Sequence, residues 1–403
     1  MKFSKLNNSE NNTDKKDINL EKKEEKALSI NKALPEKEMS KETMSRETDK
    51  IEHADEEINL NIERKFSIQK EKKKTIEVPY NLEEEIKKGE DSGDIIYLRA
   101  INLSKEVLVS SSYMEKYEEI KYLIERLHYE IINNRYFPRF ISYVTPSNYI
   151  YSHCVNVAIL SIGCAIKLNY EKEKIIDIGI AAFLHDLGIM KFMNLIKQER
   201  ELTEAEKEIV KEHVFKSVEE LDKITDFDYS KKKYIADLIL KSHERFDGSG
   251  YPNSLSGKDV DEESSIIAIS DVYEAMTHKR NYRDAFEQPK IMKYFVEEMK
   301  HFFHPNASKA IIMFNGMYPI NSLVKLSSGE IGRVVFTNNV NLTRPIVEVL
   351  LSSSGHKIEK FYVNLVEYPL TSIETYMDFS EIIKLNPDFY SEFEMENFYL
   401  KWE

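Results

Sequence analysis

The most apolar stretches of this 403-residue chain are interrupted by histidine and aspartate, and that combination restricts the possible folds more than any other feature. Ala181-Ala182-Phe183-Leu184-His185-Asp186-Leu187-Gly188 sets an adjacent His and Asp on an apolar run. Ile266-Ile267-Ala268-Ile269-Ser270-Asp271-Val272-Tyr273 repeats the pattern with a single acid. Burying such groups is costly unless they are paired or liganded. A fold that buries these runs must bring the polar groups to one another, to helix-end backbone, or to a cation. Imidazole with carboxylate suits a first-row transition metal, and two such metals suit phosphodiester hydrolysis.

The surrounding chain reads as helix. From Ile150 to about Phe314 nearly every segment has helical character: Val155–Leu168, Lys174–Leu184, Tyr234–Ser242, Glu263–Met276 and Pro289–Phe302. Thr203-Glu204-Ala205-Glu206 is a capping box that opens the amphipathic helix expected to carry His213. Facing helices of such a bundle can hold metals in their core. Upstream, Val107, Met114, Tyr117, Ile120, Leu123, Ile124, Leu127 and Ile131 recur at helical spacing and predict paired helices over 104–137. After Gly316-Met317-Tyr318-Pro319 the pattern changes to short β-branched runs at 323–326, 332–336, 346–351 and 360–366. Turn residues separate them, which predicts a small antiparallel barrel or sheet. The class is therefore mainly α: an all-α bundle with a small C-terminal antiparallel β domain. The expected division is a disordered charged leader over 1–74, a helical region over 75–148, a metal domain over 149–316, and a β domain with a helical tail over 317–403.

The leader is assigned to disorder because Ser4–Lys65 contains no aromatic residue and no glycine, and so cannot bury enough surface to offset chain entropy. Net charge narrows the partners. At −13 the chain has no basic excess to displace counterions from a nucleic-acid polymer. The two cysteines, Cys154 and Cys164, exclude a disulfide framework and a Cys-rich zinc site, which fits a reducing cytoplasm. The apolar runs at 155–166 and 178–184 fall short of the ~20 residues of a membrane span.

Among candidate ligands, His153 opens an apolar helix and His213 lies in the charged context Lys211-Glu212-His213. Either residue alone reads as a cap, core or surface histidine. Downstream, His243-Glu244-Arg245-Phe246-Asp247-Gly248-Ser249-Gly250-Tyr251-Pro252 joins a ligand, two carboxylates and a Gly-rich loop closed by proline. Glu244 and Asp247 are expected to orient ligating imidazoles, although Asp247-Gly248 also reads as a turn.

Taken in order, these segments resemble the HD-GYP branch of the HD phosphohydrolases. The resemblance rests on Tyr151-Ser152-His153-Cys154-Val155-Asn156, Leu184-His185-Asp186-Leu187-Gly188, His213, and His243 through Pro252. It continues through Ile269-Ser270-Asp271-Val272-Tyr273-Glu274-Ala275-Met276-Thr277 and Arg280-Asn281-Tyr282-Arg283, and covers about residues 100–315. It implies a helical domain with two divalent transition metals, iron or manganese, held by His153, His185, Asp186, His213, His243 and Asp271. Asp186 would bridge them, and a metal-bridging hydroxide would attack the phosphorus of cyclic di-GMP to give linear pGpG. Gly250, Tyr251, Pro252, Arg280, Tyr282 and Arg283 fall at substrate-binding positions. For the last three, cations at a helix C-terminus are an equal reading. The Gly-Tyr-Pro loop and the leader are the expected sites for a protein partner.

Two positions depart from the family pattern. Ser242 stands where a second histidine precedes the first, and Ile189 stands where a lysine follows the His-Asp turn. Lys191 lies ~200° round a helix from Ile189, so it can substitute only if the helix has ended by Gly188. Tyr149 stands where three-metal relatives carry a glutamate, which limits the expected count to two. These departures leave a second reading open, a cyclic di-GMP sensor or interaction scaffold without turnover.

Overall fold

The computed structural model describes residues 93–109, 114–133, 137–142, 149–278, 286, 288–338, 340–387 and 389, all within one unit, Asn81–Glu403. The expected leader, Arg280, Tyr282 and Arg283 lie outside the described residues.

The molecule is mainly α, and its centre is the helix with the least polar sequence. The elements run α1 (Asp94–Val109), α2 (Tyr117–Asn133), α3 (Tyr149–Lys167), α4 (Lys172–Leu184), α5 (Met193–Ile196), α6 (Glu204–Lys211), α7 (His213–Asp222), α8 (Tyr229–Lys241), α9 (Glu262–Thr277), α10 (Gln288–Glu297) and α11 (Pro305–Asn315). A helix that is apolar on every side must be covered on every side. Accordingly α1, α2, α4, α9 and α11 all pack against α3. Among the described residues α3 is the one helix long and apolar enough to cross a membrane, and here it is the buried core of the bundle. Cys154 and Cys164 are free thiols inside that core, where burial pushes both thiols up.

The paired helices expected over 104–137 are α1 and α2, with Val107, Tyr117, Ile120, Leu123, Ile124, Leu127 and Ile131 buried; Met114 is exposed. Two expectations need correction. The helix opened by the Thr203 capping box is real, with Thr203 Oγ1 accepting from Glu206 N and Glu206 accepting from Thr203 N. It stops at Lys211, however, and His213 begins a second helix, α7. The segment expected as one helix over 289–302 ends at Glu297, because Met299 and Phe303 turn inward to the core.

The C-terminal part is a five-stranded antiparallel sheet in the order β4-β3-β2-β1-β5, with β1 Leu323–Leu326, β2 Ile331–Phe336, β3 Ile346–Leu351, β4 Lys357–Asn364 and β5 Ile373–Tyr376. The last expected strand is shifted toward the N-terminus. β5 gave no sequence signal because its four residues are all at least partly exposed and do not alternate in burial. A cross-strand ion pair, Arg333 to Glu348 at 2.6 Å, is buried between β2 and β3. Tyr362 of β4 donates to the same carboxylate. Helix α12 (Phe379–Leu385) closes the fold on its own capping box.

Candidate metal centre

Three helix ends and two helix interiors deliver the polar groups to one place. Helix α4 ends at Leu184, so His185 and Asp186 lie in the turn that follows rather than on a helix. There the His185 Nδ1–H donates to the Ala182 carbonyl at 2.8 Å. That bond fixes the tautomer and turns Nε2 inward as a lone pair. His213 repeats the device at the end of α6, donating from Nδ1 to the Val210 carbonyl at 2.7 Å. His153, in the first turns of α3, gives its Nδ1–H to the Glu274 carboxylate instead. In all three the inward atom is Nε2.

These nitrogens meet Asp186 and Asp271. His153 Nε2 lies 3.6 Å from Asp186 Oδ2 and 3.4 Å from Asp271 Oδ1. His185 Nε2 is 3.7 Å from Asp186 Oδ2. On the other side, Asp186 Oδ1 is 3.2 Å from His213 Nε2, which in turn is 3.0 Å from His243 Nε2. The six groups thus sort into two triads, His153 with His185 and Asp271, and Asp186 with His213 and His243. Within each triad the ligand atoms all lie within 4.8 Å of one another. Asp186 offers one oxygen to each side. Among the described residues no third cluster of this kind occurs, and Tyr149 only starts α3.

The electrostatics suit cation binding. Burial opposes ionisation of Asp186, but the His185, His213 and His153 rings around it hold its carboxyl well below the usual range. Asp271 is likewise buried, and the neighbouring His153, His243 and His185 rings keep it low. Burial, with His213 beside it, pushes His243 down to about 3, so this imidazole is neutral at physiological pH. His185 Nε2 is buried without a hydrogen-bond partner. A buried lone pair aimed at carboxylates is an unsatisfied acceptor until a cation arrives.

The loop after His243 is anchored by the carboxylates expected to orient imidazoles. Glu244 instead accepts from the amides of Asn253 (2.7 Å) and Leu255 (2.9 Å), clamping the far end of the loop. Asp247 takes the amide and hydroxyl of Ser249, which is the turn reading. Gly250 passes so close that a Cβ would stand 2.3 Å from Arg245 N. The clamp delivers Tyr251, joined to Pro252 by a cis peptide, onto His243. The rings stack at 4.9 Å and 7°, and Lys211 Nζ sits 5.3 Å above the tyrosine ring.

Ile189 is buried in a 3-10 turn (Ile189–Phe192), so the helix has indeed ended before it. Lys191 nevertheless turns to Glu220, 2.6 Å away, rather than to the triads. Ser242 donates its hydroxyl to the Ile239 carbonyl at 2.8 Å and belongs to neither triad. Sequence reasoning missed Glu274 and Asn156. Their signal was present: Glu274 lies three residues beyond Asp271 and Asn156 three beyond His153, on the same helix faces.

Residues 130–306 match the HD domain family, and residues 323–385 match a KOW domain associated with HD domains. The pair of triads thus lies on a segment similar to HD domains, followed by a segment similar to the KOW domain that accompanies them. The chain is also similar to curated phosphodiesterases over this segment. It is 30% identical over 210 residues to a cyclic di-GMP phosphodiesterase of Pseudomonas aeruginosa, covering 52% of this chain and 50% of that protein. It is 26% identical over 215 residues to the cyclic di-GMP phosphodiesterase PdeB of Borreliella burgdorferi, covering 53% and 55%. A 3'3'-cGAMP-specific phosphodiesterase of Vibrio cholerae is 29% identical over 136 residues, covering 33% of this chain and 25% of that protein. The chain spans about half the length of the first two.

Proposed function

We propose that this chain is a metal-dependent phosphodiesterase that opens cyclic di-GMP to linear pGpG. The observation that carries the reading is the carboxylate of Asp186, set between two triads with an oxygen toward each. The donor set is imidazole and carboxylate without thiolate, which suits divalent iron or manganese. His153, His185 and Asp271 would hold one ion and His213 with His243 the other, with Asp186 shared. Bound there, two divalent cations supply Lewis acidity at the attacking and leaving oxygens of an in-line displacement.

The chain's own residues do the rest. Asp186 and Asp271 remain ionised, and three imidazoles are held with Nε2 inward by fixed Nδ1–H bonds. Tyr251 covers His243 and keeps water from that side, with the Lys211 ammonium at the rim. Arg280, Tyr282 and Arg283 receive phosphate or guanine, a role that rests on the sequence resemblance.

Relatives named for cyclic di-GMP and for 3'3'-cGAMP support a cyclic dinucleotide as the substrate class. The test is to incubate the anaerobically purified chain with manganese or ferrous iron and each dinucleotide, and to follow products by chromatography. Metal-dependent pGpG is expected. No product with metal bound would favour the second reading, a sensor or scaffold, for which Ser242 and Ile189 speak. Losing one fixed cation beside a developing phosphate charge costs about 10²–10³ in rate. We also expect Ser242→His to add an imidazole at the Asp186 side and to tighten the weaker of two manganese affinities by about tenfold. Unchanged affinity and stoichiometry in calorimetry would remove Ser242 as the gap in the ligand set.

A further inference from the structure

The His153 triad is wired to a helix outside the HD domain. Tyr97 lies on α1, upstream of the matched residues 130–306, and is fully buried against α3. Its hydroxyl donates to Asn156 Oδ1 at 2.7 Å. Asn156 Nδ2 donates to Glu274 Oε1 at 3.2 Å, and Glu274 Oε2 takes His153 Nδ1–H. His278, at the end of α9, sets its Nδ1 3.2 Å from Glu274 Oε1.

The direction of this chain is not arbitrary. A carboxylate only accepts, so Asn156 must present its amide N–H to Glu274 and its carbonyl away from it. The group facing that carbonyl must then donate, and a tyrosine hydroxyl can. Asn156 held this way fixes the rotamer of Glu274, and Glu274 fixes both the tautomer and the tilt of His153. Each member is buried, so a broken link is not readily replaced by bulk water.

We propose that Tyr97 is a positioning residue for the metal triad of His153, His185 and Asp271, so that a shift of α1 is read out as metal affinity at that triad. The inference rests on the metal-centre reading above. Partners that orient a ligating histidine are worth about 10–100-fold in metal affinity, and a residue two hydrogen bonds further out conveys part of that. In a chain of this kind the effects of its members are coupled rather than additive.

The test uses the full chain and its Tyr97→Phe, Glu274→Gln and double variants, titrated with manganese by calorimetry and by electron paramagnetic resonance. Melting of each metal-free protein is the control for folding. We expect Glu274→Gln to weaken one of two manganese sites by about 10–100-fold and Tyr97→Phe to weaken the same site by about threefold. In the Glu274→Gln background, Tyr97→Phe should change nothing further. A purely packing role for the hydroxyl would lower the melting temperature and leave manganese affinity at the wild-type value, which overturns the proposal. Additive effects in the double variant overturn it as well. A wild-type chain that binds no manganese would instead remove the metal-centre reading itself, and this inference with it.

Discussion

With His185 and Asp186 both replaced by alanine, hydrolysis of cyclic di-GMP is expected to fall below detection while the far-ultraviolet circular dichroism stays close to wild type. Asp186 sets one oxygen toward His153 and His185 and the other toward His213, so its loss reaches both triads at once. His185 removes a third of the first triad besides. Units of this kind fail together, and a loss of more than about 10³ in rate is the ordinary scale for them. Helical content survives because both residues lie in the turn after Leu184, so their loss removes the His185 cap on the Ala182 carbonyl and no backbone bond within the helix. Turnover at the wild-type rate in this variant would show that the chemistry resides elsewhere in the chain.

The second large effect is expected at Gly188. Its backbone runs against the start of α7, where an added Cβ would stand 2.4 Å from Ser217 N and 2.5 Å from the His213 carbonyl oxygen. Both neighbours are backbone and cannot rotate away. Gly188 N also donates to Ser217 Oγ at 2.8 Å, a bond that closes only at this range. Gly188→Ala must therefore push the His-Asp turn and His213 apart. Overpacking of this sort costs about 1–3 kcal/mol, which urea denaturation would register. The more telling measurement is manganese stoichiometry, expected to drop by one ion as His213 leaves the Asp186 side. Full stability with both ions retained would mean that the two segments are not held at this distance in solution.

The legible parts of this molecule are those where one residue type has few uses. Histidine and aspartate inside Ala181–Gly188 and Ile266–Tyr273 had to be paired or liganded, and the structure gathers them with His153, His213 and His243 into two triads. The apolar run at 155–166 could only be a covered helix, and α3 is that helix. What could not be read were the roles of carboxylates, because a glutamate accepts hydrogen bonds from whatever the tertiary fold brings near. Glu244 takes two bonds from loop amides and Glu274 is bound to an imidazole, and residue type alone does not separate the two roles. The break between α6 and α7 was equally hidden. Lys211-Glu212-His213 contains neither glycine nor proline, and the helix stops there so that His213 can point inward. Strand β5 was invisible for the opposite reason, being too short and half-covered to carry a pattern.

His185 and His213 each spend a ring N–H on one of the last carbonyls of the helix before it, Ala182 and Val210. Those carbonyls belong to the set that a helix end leaves without partners, and such ends ordinarily fray. The imidazole thus serves as the cap of one element and the ligand of another centre, so fraying at α4 or α6 and release of a ligand become a single event. Ion occupancy should then be visible far from any nitrogen. Amide hydrogen exchange over 183–189 and 210–217 should slow together when manganese is added, and with His185 and Asp186 both replaced by alanine neither segment should respond.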